Sequence, residues 1–158
     1  MRRRGGACAA ARGRTIVASG SVRVFERGDE RFACRIGRRG KLLLAGAPPP
    51  RIVGDRWLLV LGEGHARVLD TRTGRFVIDE QNVAIPTLLG DGTLAWIDFG
   101  GDLLARSPGA AIVRLAESPT GAPVAVPAAA RRAVYWTENG IPRVYRPPSA
   151  ARSASKPG

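Results

Sequence analysis

The chain contains a single histidine, His65, in the Gly-rich segment GEGHAR. A lone histidine can act as a general base, but it needs a nucleophile beside it. No serine has the GxSxG surroundings of a nucleophile elbow, and no cysteine lies near His65 in sequence. No His or Cys pair has zinc-site spacing, and no acidic loop matches a calcium-binding pattern. We interpret His65 as a solvent-exposed turn residue.

Two aspartates, Asp98 and Asp102, flank a Gly-Gly turn and can approach each other across a hairpin. Paired carboxylates can do acid–base chemistry, whereas turn aspartates commonly accept backbone hydrogen bonds. The segment GDGTLA at 90–95 matches a GxGxxA dinucleotide loop, but that loop needs a following helix and the β-rich LAWIDF follows instead. The sequence therefore predicts turn-capping aspartates, no cofactor and no enzymatic activity.

The two cysteines of the chain are Cys8 and Cys34. They could form one disulfide in an oxidising compartment, but Cys34 ends the apolar segment RFAC and is a residue type that strands bury. We interpret Cys34 as a buried thiol and Cys8 as free. The sequence as given has no apolar run of signal-peptide length and none approaching the roughly 18 residues that span a bilayer. We therefore assign no cellular compartment from the sequence.

Five aromatic residues in strand-like segments are the candidate binding residues: Trp57, Trp96, Trp136, Tyr135 and Tyr145. On the rim of a β-structure, Trp and Tyr can form a patch that binds sugars, peptides or bases. Inside strands, the same side chains more commonly pack in the core. Both interpretations are open from the sequence.

The net charge is +12, and most of the excess lies near the two ends. The basic candidates at the start, in residues 1–14, are Arg2, Arg3, Arg4, Arg12 and Arg14. Basic tails can bind nucleic acid or anionic lipid through phosphate contacts. However, an excess of Arg over Lys with abundant Ala, Gly and Pro is also the general protein composition that a GC-rich genome encodes. We expect solvated tails, with a nucleic-acid or anionic-surface binder as the alternative.

A hairpin-like pattern recurs about every 40 residues and must position these side chains. Each copy has an apolar strand, a Gly-rich turn and a second strand; the copies are Thr15–Arg27, Arg56–Asp70, Thr93–Arg106 and Ala133–Arg146. Their second strands begin near Arg23, Arg67, Leu103 and Arg143, in steps of 44, 36 and 40 residues. A repeat of this length with several strands per unit is typical of a β-propeller blade.

Two turns of this repeat carry strong local signals. Asp70, after ARVLD, can accept bonds from the backbone N–H groups ahead of it, and Gly74 can take a left-handed conformation. The dipeptide Asn139-Gly140 between two strands favours a two-residue hairpin turn. These four residues are predicted to have structural roles.

The WLLVL strand with the Asp70–Gly74 turn resembles a blade of the large propeller families, which include quinoprotein-like, WD40-like and TolB-like repeats. The segment AVYWTENGIPRVYR resembles the aromatic-bearing hairpin of such blades, and GTLAWIDFGGDLLAR matches it with Trp96 aligned to Trp136. The Asp-x-x-Thr-Gly turn occurs once, at Asp70–Gly74, and the Gly-His and Trp-Asp dipeptides that together mark a WD40 repeat do not occur together, since no Trp-Asp is present. The resemblance therefore implies a propeller fold and no cofactor.

These patterns predict an all-β, propeller-like array of about four antiparallel β-sheet blades in residues 15–146, between disordered tails at 1–14 and 147–158. The last unit supplies two strands, so the sequence shows about three and a half blades, fewer than most closed rings need. Either further strands lie in apparent loops, or two chains complete a ring as a homodimer through open blade edges, or the chain is a fragment of a larger propeller. A β-sandwich is the alternative fold.

Propeller-like arrays mostly serve as binding platforms. We therefore expect a non-enzymatic binding or scaffold module whose partner is a protein or a small ligand. A hydrolase or quinoprotein fragment is disfavoured, because the chain shows no catalytic constellation.

Overall fold

The computed structural model of the chain describes residues 13–36, 41–43, 48–121 and 127–148. All regular structure in these residues is β-strand. The described part of the chain accordingly contains no helix that could cross a membrane.

Within the described residues, fifteen strands form four antiparallel sheets, and each sheet follows chain order. The first sheet contains β1 (Arg14–Ser19), β2 (Val22–Arg27), β3 (Glu30–Arg35) and β4 (Lys41–Leu43); the second contains β5 (Arg51–Val53), β6 (Trp57–Gly62), β7 (His65–Asp70) and β8 (Arg75–Gln81). The third contains β9 (Val83–Leu88), β10 (Leu94–Asp98), β11 (Leu103–Arg106) and β12 (Val113–Ala116); the fourth contains β13 (Ala128–Ala130), β14 (Ala133–Glu138) and β15 (Ile141–Tyr145). Each sheet is a meander of hairpins.

The second sheet shows why these sequences form buried strands. Along β6, Trp57 and Leu59 pack towards the third sheet, while Leu58 and Val60 pack towards the first. All four side chains are at most 6 % exposed. A strand that is covered on both faces has a continuous apolar run, and WLLVL is such a run.

Apolar clusters join each sheet face to face with the next one. Val24 and Ala33 meet Leu58, Val60 and Leu69; Trp57, Leu59, Ala66, Val68 and Ile78 meet Val83, Leu88, Leu94 and Trp96; Leu89, Ala95 and Ala105 meet Val134. Among the described residues, no apolar cluster joins the fourth sheet to the first. The sheets therefore form an open series.

The predicted fold class is confirmed. The chain is all-β, with four antiparallel sheets of three or four strands stacked in sequence order, which is an incomplete propeller-like arrangement. The fourth sheet has three strands among the described residues, where each of the others has four.

The phase of the repeat differs from the sequence alignment in the first unit. Thr15–Arg27 forms the first two strands of its sheet, whereas the other three copies form the second and third strands. When the sheets are compared strand for strand, the second strands begin at Val22, Trp57, Leu94 and Ala133, in steps of 35, 37 and 39 residues. The hairpins are alike locally, so the sequence pattern did not reveal which pair each copy represents.

The sequence of residues 80–92 predicts a loop with a short strand at 87–89, but the structure has a six-residue strand in this segment. β9 covers Val83–Leu88 and forms the first strand of the third sheet. It contains Pro86, which lowers the strand signal, but β9 is an edge strand where a missing N–H is tolerated. The sequence also predicts a strand at 123–126, and these residues lie outside the described ranges.

Candidate functional site: an open sheet face and an arginine-lined cleft

The structure places the five predicted aromatic residues in different environments. Trp57 and Trp96, 6 % and 1 % exposed, lie in the core between the second and third sheets. Trp136 and Tyr145 are half-buried against the core between the third and fourth sheets. Tyr135 is 42 % exposed. The five residues therefore do not form one binding patch.

Tyr135 occupies a position that the preceding sheets bury. When the β6–β7, β10–β11 and β14–β15 hairpins are aligned on their turns, Tyr135 corresponds to Leu59 and Ala95. Leu59 is 1 % exposed and Ala95 is 0 % exposed, because the next sheet covers each of them. Tyr135 has the same place in its sheet but no following sheet among the described residues.

The cross-strand partner of Tyr135 repeats this contrast. Val144 is 45 % exposed, whereas the equivalent Val68 and Ala105 are 0 % exposed. Tyr135 and Val144 share their side of the sheet with Ala128, Ala130, Ala133, Thr137 and Pro142, and all of these except Ala133 are exposed. We call the six exposed residues the open face; none of them is charged.

The free edge of the fourth sheet is less suited to binding a partner than the open face, because a proline lies on it. Asn139 and Gly140, with φ of +51° and +77°, form the two-residue turn between β14 and β15. In such a hairpin the residues next to the turn share both hydrogen bonds, so the backbone N of the following residue, Pro142, points to the open edge. Proline has no N–H to donate there, which hinders the addition of another strand.

A cleft of about 610 Å³ lies at the opposite end of the sheets from this turn. Its walls come from turns of the second, third and fourth sheets. We call it the arginine cleft after three of its lining residues, Arg56, Arg72 and Arg132; Trp57, Asp55 and Asp91 also line it.

Arg56 is a lining residue of this cleft and is held by several contacts. Its Nε and Nη2 donate to the two carboxylate oxygens of Asp70 at 3.0 and 2.9 Å. Its guanidinium carbon lies 4.2 Å from the centre of the Trp57 ring. The backbone N–H and hydroxyl of Thr71 both donate to its carbonyl oxygen. A side chain held in this way presents its remaining N–H groups in a defined direction.

Asp70 is the buried counterpart of Arg56. Burial opposes its ionisation, but hydrogen bonds from Arg56 and from the backbone N–H of Arg72 outweigh burial and lower the pKa of Asp70. The same ion pair raises the pKa of Arg56. Gly74, with φ of +71°, closes the turn by donating its N–H to the carbonyl of Asp70 at 2.8 Å. This turn projects Arg72 beside the cleft.

Close backbone contacts connect the loops of the cleft to one another. The N–H of Gly90 donates to the carbonyl of Arg131 at 2.8 Å and ties the third sheet to the fourth. Gly92 has φ of +89°, and a Cβ built on it would lie 2.7 Å from the Trp57 ring. The cleft therefore has a firm backbone frame.

Of the five residues of the predicted basic patch, the structure describes Arg14. Arg14 lies in β1, where its Nη2 is 2.9 Å from a carboxylate oxygen of Glu26. Arg2, Arg3, Arg4 and Arg12 lie outside the described residues.

The other residues singled out for chemistry have structural contacts. His65 begins β7 with its side chain 19 % exposed and its Nε2 2.5 Å from Asp79 Oδ1, so the expectation of an exposed turn residue is wrong. Asp98 and Asp102 each accept a backbone hydrogen bond. No group of three metal-ligating side chains occurs in the described residues.

Cys34 is buried as predicted, at 3 % exposed, but it is disulfide-bonded, so its interpretation as a free thiol is wrong. It packs with Phe25 and Phe32 on the face of the first sheet that points away from the second. The sulfur is therefore not enclosed between two sheets. Cys8 lies outside the described residues.

No protein-family model and no curated protein matches the chain. One matching solved structure, from S. cerevisiae, is a Dbp5 variant bound to Nup159, a Gle1 variant, IP6 and ADP; it is 16 % identical with a TM-score of 0.47, over 82 % of this chain and 42 % of that one. Another is the N-terminal domain of Nup159, 17 % identical with a TM-score of 0.46, over 87 % of this chain and 45 % of that one. The chain thus spans less than half the length of either match, and we draw no function from them.

Proposed function

We propose that the chain is a non-enzymatic binding module that docks a protein partner on the open face of its fourth sheet, and that this partner is a second copy of the chain. The observation that carries the proposal is the exposure of Tyr135 and Val144 at positions that are core residues in the second and third sheets. Covering a surface of this composition with an apolar sheet face lowers the free energy of the system.

Two features favour a second copy as the occupant. The open face has no charged side chain, so two identical faces can pack without like-charge repulsion despite the net charge of +12. A two-fold dimer needs this single surface on both subunits. Pro142 at the free edge favours packing of face on face over the pairing of edge strands.

Sedimentation velocity on three proteins tests the proposal. We expect the wild-type chain to sediment at about twice its mass of 16.7 kDa. Tyr135→Asp places a charge at the centre of the interface and should give a monomer. Ile112→Asp is the matched control, since Ile112 is 48 % exposed outside the open face; this variant should remain a dimer.

A wild-type monomer at every concentration would contradict the proposal, as would a dimer that Tyr135→Asp leaves intact. Loss of the dimer in both variants would also count against it, because the association would then not depend on the open face.

Binding of nucleic acid or an anionic surface by the Arg-rich ends stays a prediction of the sequence. Arg2, Arg3, Arg4 and Arg12 lie outside the described ranges, and the ion pair of Arg14 with Glu26 reduces the charge that Arg14 offers. Affinity that falls steeply with salt would support it.

A further inference from the structure

The arginine cleft is separate from the open face and has the properties of a small-molecule site. Its volume of about 610 Å³ lies in the range of ligand pockets. Turns from three sheets build it, and its frame includes the Gly90–Arg131 bond and the contact of Gly92 with Trp57. A preformed concave site of this kind loses little entropy when a ligand binds.

Two of the lining charges are already neutralised. Asp70 takes two N–H groups of Arg56, and Arg35 lies 3.5 Å from a carboxylate oxygen of Asp55 and also donates to its backbone carbonyl. A guanidinium carries five N–H donors, so Arg56 keeps three after its bonds to Asp70. These pairs leave a fixed donor group in the cleft without adding net charge.

Two further arginines supply unbalanced positive charge. Arg72 and Arg132 line the cleft with exposed side chains, and within the described residues neither has an acidic side chain at ion-pair distance. The remaining acid is Asp91, whose Oδ1 accepts the backbone N–H of Thr93 at 2.9 Å. The cleft thus combines two free guanidinium groups with a carboxylate that has an oxygen left to accept a hydrogen bond.

We propose that the arginine cleft binds a small hydroxylated organic phosphate, with Arg72 and Arg132 holding the phosphate oxygens and Asp91 accepting a hydrogen bond from a ligand hydroxyl. Guanidinium groups donate in pairs to phosphate oxygens, and such charge-assisted bonds are stronger than neutral ones. A bare anion would gain from the arginines but be repelled by Asp91. A ligand with both groups uses all three side chains.

Isothermal titration calorimetry with ribose 5-phosphate, inorganic phosphate and ribose tests this assignment. The wild-type chain should bind ribose 5-phosphate most tightly, phosphate more weakly and ribose not measurably. The double variant Arg72→Gln/Arg132→Gln should weaken ribose 5-phosphate binding at least about tenfold, since two charge-assisted contacts are lost. Asp91→Asn should reduce the preference for ribose 5-phosphate over phosphate.

The matched control is Arg51→Gln/Arg75→Gln, which removes the same charge from exposed arginines close in sequence that do not line the cleft. It should bind ribose 5-phosphate as the wild type does. Equal weakening in both double variants would show general attraction to a basic chain and would overturn the proposal. Absence of binding to the wild type would overturn it as well, and neither result depends on whether the chain dimerises.

Discussion

Asp70 has two roles at the residue scale: it accepts the bidentate bonds of Arg56 and it caps the turn that carries Arg72. Its side chain is 3 % exposed, so the charge of Arg56 is paired below the surface of the cleft. The residue links the stability of the second sheet to the geometry of the arginine cleft.

Replacement of this carboxylate should destabilise the fold. Asp70→Asn removes the charge but keeps the size, and a partly buried charged hydrogen bond is lost at a cost of about 1–3 kcal/mol. The pKa of Asp70 is lowered in the folded state, so its contribution is complete above the unfolded value near 3.8 and disappears as pH falls through the folded value. Urea denaturation of both proteins between about pH 6 and about pH 2 should show the stability difference shrinking in acid. A difference that is constant with pH would contradict this account.

Gly92 provides a second test at this scale. Gly92→Ala should lower the free energy of unfolding by more than about 1 kcal/mol, because φ is +89° and the new methyl group would meet the Trp57 ring. Gly74→Ala is a useful comparison, since Gly74 also has positive φ but a methyl group added at Gly74 would have no other atom within 4 Å. Urea denaturation should find Gly92→Ala the more damaging change, and equal losses would show that the contact with Trp57 does not matter.

What the sequence could predict about residues follows from how local each signal is. The Asp70–Gly74 turn is written in five consecutive residues, so its geometry could be anticipated. Arg72 and Arg132 belong to different sheets, and only the fold brings them to one cleft. From the sequence, each tryptophan could belong to the core or to a surface patch. Its burial depends on which sheets cover it, and only the structure shows that.

At the scale of elements, the hairpins were predictable and the isolated strands were not. A two-residue turn such as Asn139-Gly140 fixes both flanking strands through local chemistry. β5 has three residues and β9 contains Pro86, so neither has a clear alternating pattern. The first strand of a sheet is recognised mainly from the strands that it pairs with and has little sequence signal of its own. For this reason the sequence alignment placed the first hairpin, Thr15–Arg27, at the wrong position in its sheet.

The free edge of β15 gives a prediction for this scale. Pro142→Thr restores an N–H on the open edge, so the variant should aggregate faster on gentle heating than the wild type. Pro108→Thr, in the turn between β11 and β12, is the control and should not change the rate. Static light scattering measures both. An unchanged rate for Pro142→Thr would mean that this proline does not protect the edge.

At the scale of the whole molecule, the four sheets form an open series, and within the described ranges no further sheet covers the outward face of the fourth. The number of sheets and their antiparallel order could be predicted from the repeat, because each unit carries its own hairpin. What covers the last sheet could not, since an apolar face looks the same in sequence whether its neighbour is in the same chain or in another. Tyr135 and Val144 identify the open face only when compared with Leu59 and Val68 in the structure.

The most direct test of the open face is hydroxyl-radical footprinting of the unmodified chain in dilute and concentrated solution. Oxidation of Tyr135 should fall as the concentration rises, because a second copy covers it. Phe99, 66 % exposed and outside the open face, is the internal reference and should be oxidised equally in both samples. Constant oxidation of Tyr135, or a parallel fall at Phe99, would contradict docking of a second copy on the fourth sheet.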